Sequence, residues 1–120
     1  MPRTALTPQT LKGPYPGTVS ANDLDITWAA GDDANENEFT CTGKDLILVR
    51  NDDAGAQTFS LLSVEDKKKR KGDVTNYSVG AGEYAGFWVG SLVGWDQGAG
   101  KFHIDVSSNN LMFAILRLPL

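Results

Sequence analysis

One histidine, one cysteine, an acidic cluster and a run of five cations are the residues of this 120-residue chain best suited to react, ligate or bind ions. His103 falls on the polar side of an alternating stretch, KFHIDV, and no G-x-S-x-G nucleophile turn exists to pair with it, so it reads as an exposed strand histidine. Cys41 is alone, which rules out an intrachain disulfide, and it reads as a small buried apolar residue of a reducing compartment. Asp32, Asp33, Glu36 and Glu38 are hard oxygen donors of the kind calcium takes. They lack the order of an EF-hand loop and read as a solvated acidic loop. The glycine-rich GAGEYAG at 80–86 precedes a strand pattern and has no Lys-Ser/Thr, so it reads as a turn and not a phosphate cradle. No metal or cofactor is expected.

The five cations Lys67, Lys68, Lys69, Arg70 and Lys71 repel one another and must face water. Base-stacking aromatics do not interleave with them, and the net charge of −4 opposes a dedicated nucleic-acid binder. An acidic partner surface is the functional reading of this run, and a wet connector between strands is the bland one. Trp28, Trp88 and Trp95 with Tyr77, Tyr84 and Phe87 would suit either a carbohydrate platform or the core and interfaces of a small sandwich.

The elements that would position these residues are strands. Apolar and polar residues alternate over 23–28, and strand-like runs follow at 39–42, 45–50, 57–64, 74–79, 83–89, 101–108 and 111–120. Polar, Gly-rich segments separate them, and no stretch keeps a helical period. The last run is apolar throughout, as a central strand covered on both faces would be. Residues 1–20 differ. Pro2, Pro8, Pro14 and Pro16 preset an extended backbone, while Leu6, Leu11 and Tyr15 give apolar weight to what reads as an extended N-terminal arm able to order against a neighbour. The expectation is one all-β domain: an arm over 1–20 and a β-sandwich of jelly-roll or tulip type over 21–120. The N-terminus lacks the apolar core of a secretory signal, and no apolar run is long enough to span a membrane, so a soluble protein made in the cytoplasm is expected.

Several turn and core positions of the second half form a recognisable set. They are Asn51-Asp52, Ser63-Val64, Lys71-Gly72-Asp73, Tyr77-Ser78-Val79, Ala81-Gly82-Glu83, Phe87, Gly94-Trp95-Asp96-Gln97, Gly100 and the aliphatic stretch from Ala114 to Leu118. This pattern resembles small structural proteins of tailed-bacteriophage head gene clusters, of the capsid decoration (cement) type. The resemblance implies a non-enzymatic virion protein that binds the exterior of the expanded head as a trimer and bridges major capsid subunits. Pro2, Leu6, Leu11 and Tyr15 of the arm would then be the first partner-contacting residues, with Lys67–Lys71 the second. Neither nucleic acid nor membrane is an expected partner. A head–tail joining or tail component, and a carbohydrate-binding adhesion module, are the rival readings.

Overall fold

The computed structural model describes residues 2–12, 20–65 and 68–117. Its strands are β1 (Thr4–Ala5), β2 (Gln9–Thr10), β3 (Ala29–Ala30), β4 (Asn37–Thr40), β5 (Asp45–Asn51), β6 (Gln57–Leu62), β7 (Val74–Val79), β8 (Tyr84–Val89), β9 (Lys101–Val106) and β10 (Leu111–Arg117). They form two sheets. The first has the order β1-β4-β9-β6-β7; the second has the order β2-β10-β5-β8, with β3 also pairing β10. The expected all-β class is what the chain adopts.

Period-2 side-chain alternation explains the layering. Phe102, Ile104 and Val106 of β9 and Phe59 and Leu61 of β6 turn inward from the first sheet. Ile47 and Val49 of β5 and Leu111, Phe113 and Ile115 of β10 meet them from the second. Phe59 and Phe113 touch edge to face across the layers, their centroids 6.3 Å apart. At one end of the sandwich, rings pack in sequence from Phe39 to Phe102, Trp95 and Phe87, at 5.1, 5.1 and 5.3 Å. β10 has partners along both edges, and Ala114 and Leu116 are buried as well, so this strand is central as its composition indicates.

The N-terminal segment is woven into both sheets. β1 runs parallel to β4, and β2 runs parallel to β10. Between them the chain crosses from one sheet to the other and inserts Leu6, 5% exposed, into the core. Arg3 fastens the start of the segment, donating to the carbonyls of Asn37 and Ile104 and to the Asp105 carboxylate. Residues 4–10, read from sequence as part of an arm, thus close one side of the sandwich.

The strand expected over 23–28 is absent. Ser20 to Leu24 turn instead, with Asn22 in the left-handed region at φ 70° and the Asp23 side chain accepting from the Ser20 backbone N–H. The alternation there faces solvent, and Leu24 is 65% exposed. A single side chain substitutes for the missing ladder. Gln9 donates to the Asp25 carbonyl at 2.6 Å and accepts from the Thr27 N–H at 2.9 Å. The chain reaches β10 at Ala29 and Ala30, and the Gly31 N–H donates to the Leu111 carbonyl.

Two buried polar residues fix the second sheet. Asp45 accepts from the Thr42 N–H at 2.7 Å and from Nε of Arg117, its cross-strand neighbour, at 3.0 Å. Asn51 ends β5. Its side-chain amide donates to the Val79 and Gly55 carbonyls, its Oδ1 accepts from the Asp53 N–H, and its backbone exchanges bonds with Gly82 and Glu83. The turn that carries the chain from β7 in the first sheet to β8 in the second is therefore tied to β5, which sets where the β8 side chains point.

Candidate interaction surface

The outer faces of the two sheets differ in chemistry. On the second sheet, inward Ile47, Val49 and Val89 leave Leu46, Leu48 and Arg50 of β5 and Tyr84, Gly86 and Trp88 of β8 facing out. Register aligns these into three rows, Trp88–Leu46–Leu116, Gly86–Leu48–Ala114 and Tyr84–Arg50–Met112. Arg50 is the only charge in the rows. Its guanidinium forms a two-pronged pair with Asp52 at 2.8 and 2.9 Å and lies 4.8 Å from the Trp28 ring centre. Asp52 holds that guanidinium charged even more firmly than usual. Tyr84 is 68% exposed and Trp88 47%. Between them Gly86 has no side chain, so Leu48 floors a shallow trough whose two aromatic ends are about 13 Å apart along the strand. Tyrosine, tryptophan and arginine are the residue types that dominate the binding energy of protein interfaces.

The first sheet is polar outside. Lys101, His103 and Asp105 of β9 alternate with its buried residues, and Glu38 of β4 lies 3.7 Å from His103 and 3.9 Å from Lys101. Partial burial, reinforced by Arg3, pushes the His103 imidazole below its usual range. These charges are engaged with one another, and His103 occupies the polar face expected of it.

The basic loop joins β6 to β7. Ser63 and Asp73 clamp its base: the Ser63 N–H and hydroxyl both donate to the Asp73 carboxylate, and the Gly72 N–H donates to Ser63 Oγ at 2.9 Å. Those bonds hold the Asp73 carboxyl below the ordinary carboxylate range. Lys68, Lys69, Arg70 and Lys71 are exposed on this loop. Lys67 lies outside the described residues, as does Tyr15 of the arm. Pro2 is exposed and Leu11 half-buried. Leu6, expected to meet a partner, fills its own core instead, because the crossing between sheets leaves a gap that only an apolar side chain can fill.

The remaining reactive groups serve the fold. Cys41 is buried, donates to the Gly100 carbonyl, and has its thiol pushed up by desolvation. Asp32 accepts from Thr4 Oγ1 and from the N–H groups of Ala34 and Asn35, and these bonds pull its carboxyl down to about 2. It is thus the cap of a turn that also anchors β1. Among the described residues no group of three His, Cys, Asp or Glu side chains is arranged around a metal position. An apolar hollow of about 250 Å³ opens between the β7 and β8 edges, lined by Phe59, Leu61, Val74, Tyr77, Ala85, Gly86 and Phe87.

No family model matches the chain, and neither curated proteins nor solved structures include a match. By sequence the aromatics suit either core or platform; the β8 pleat sorts them, Phe87 inward and Tyr84 and Trp88 outward. The signal was the Tyr-x-Gly-x-Trp spacing of β8, legible once the buried side of Val89 is known.

Proposed function

We propose that this chain is a capsid decoration protein of a tailed bacteriophage, attaching without catalysis to the exterior of the expanded head and bridging major capsid subunits. The observation that carries the reading is the outer face of β8 and β5, where Tyr84 and Trp88 are exposed beside half-buried Leu46, Arg50 and Met112. Such a face stabilises by being covered, and a decoration protein covers it with a neighbour. The resemblance of the Asn51–Leu118 pattern to decoration proteins supports the same reading, and a trimeric assembly would add the strength of several contacts at once.

The test is co-sedimentation with expanded, undecorated heads. The wild-type chain is expected in the pellet, and Y84A/W88A in the supernatant with an unchanged unfolding midpoint. A wild-type chain that stays in the supernatant refutes the proposal.

A carbohydrate-binding module is the second reading, favoured by Tyr84 and Trp88 sharing one sheet face. Trp28 stands 66° from the Tyr84 plane, which removes it from a flat sugar platform. Retention of the wild type, and not of Y84A/W88A, on immobilised cell-wall polysaccharide would favour this reading over capsid attachment.

A further inference from the structure

A second feature lies at the end of the sandwich, beyond the Trp88 end of β8. The basic loop and the connection from β8 to β9 run side by side and enclose an open groove of about 350 Å³. One wall carries Arg70 and Lys71 with Gly72; the other carries Val93 and Trp95. Val93 is 75% exposed, the most exposed of the large apolar residues described. The groove is thus basic on one side and apolar on the other.

Its walls are locked together before anything binds. The Val64 N–H donates to the Gly94 carbonyl at 2.6 Å, and Gln97 Nε2 donates to the Leu62 carbonyl at 2.9 Å. The Ser63–Asp73–Gly72 clamp holds the basic side from beneath. A preformed groove loses less freedom on binding than a loose loop does.

We infer that this groove takes an extended acidic segment of a partner protein, with carboxylates against Arg70 and Lys71 and an apolar side chain against Val93. In an extended chain successive side chains point to opposite sides, so an alternating acidic/apolar segment presents one chemistry to each wall. The five cations stand in a chain whose net charge is −4, so attraction is local to this end and oriented. A nucleic acid is disfavoured by the chain's net charge of −4. The inference rests on the partner being a protein, as proposed above, and adds which chemistry of that partner is recognised.

The test uses the intact chain and a fluorescein-labelled eight-residue peptide alternating Asp with Leu. Anisotropy should report binding that weakens with salt. R70Q/K71Q should weaken it at least about tenfold, since it removes the charges of the basic wall. V93S should weaken it by up to about tenfold through lost apolar burial. A peptide alternating Asp with Ser should bind as poorly to the wild type as the Asp-Leu peptide does to V93S. These side chains are exposed, and the unchanged unfolding midpoint of each variant is the check that the fold persists. No binding of the Asp-Leu peptide overturns the inference. So does equal binding of an oligothymidylate that is insensitive to V93S, which would mark the loop as a general polyanion site. Head co-sedimentation of the wild type is scored separately: a pelleting wild type that ignores the peptide refutes the groove and leaves the decoration reading standing.

Discussion

Arg3 donates to the Asp105 carboxylate at 2.7 Å across a sequence separation of 102 residues, joining the residue before β1 to the C-terminal end of β9. The same guanidinium nitrogen lies within reach of the Asn37 and Ile104 carbonyls. One side chain therefore bridges β1, β4 and β9, and the N-terminal segment is part of the folded unit at least as far as β2.

Removing this bridge should cost a modest amount of stability. The pair is partly exposed, so solvent screens it, and R3A is expected to lose about 1 kcal/mol. Leu6 is a different matter: L6A leaves a cavity between the sheets and should lose roughly 2–4 kcal/mol. Urea unfolding measures both. An L6A loss below that of R3A would mean that the segment lies on the surface and does not close the sandwich.

Asn51 offers a sharper test of how the two sheets are connected. N51A orphans the Val79 and Gly55 carbonyls and the Asp53 N–H in a buried corner. A loss of about 2–4 kcal/mol is expected from the unmet polar groups together. Hydrogen exchange should quicken first at the Asp53 N–H, which loses its acceptor, and in the turn around Gly55. Exchange that quickens uniformly along the chain would contradict a local role.

Stability should fall on the acid side. The folded-state carboxyl of Asp32 titrates at about 2 against an ordinary 3.8, and those of Asp53 and Asp73 are also lowered. A lowered carboxyl contributes stability that is complete above its unfolded value and is lost as pH falls through the folded one. The decline should therefore run from about pH 4 to about pH 2. T4V, which removes a hydroxyl donor to Asp32, should shift its share of that decline to higher pH. His103 is lowered too, so it adds a shallower loss as pH drops below about 6.5. Urea midpoints measured between pH 2 and pH 7 give the profile directly.

Glu36 behaves in the opposite sense. Burial raises its carboxyl, so the stability it contributes is present at low pH and lost as pH rises through its folded value. E36Q keeps an oxygen to accept from the Val106 N–H without the charge. The variant should match or exceed the wild type at pH 7 and lose its advantage below about pH 4.5. A variant less stable at pH 7 would show that the charge itself is needed.

β6 and β9 are legible because burial of one face imposes a period of two, and β10 because a strand covered on both faces is apolar throughout. β1 and β2 are not, because two-residue strands in a proline-rich stretch are defined by their distant partners and not by their own residues. Residues 23–28 alternate yet do not pair, because Gln9, many residues away in sequence, satisfies their backbone. Leu6 looked like a contact for a partner for the same reason: nothing local reveals the gap it fills. The basic run announced itself by composition, whereas its apolar companion Val93 became visible only when two loops were placed side by side.

On the proposed attachment the second sheet's outer face is the one covered, and hydrogen exchange of the free and head-bound protein reads this out. Protection should rise along β8 and in the 90–95 connection beyond it, while β9 on the first sheet stays as it was. Protection confined to β4 and β9, with β8 unchanged, would contradict the account.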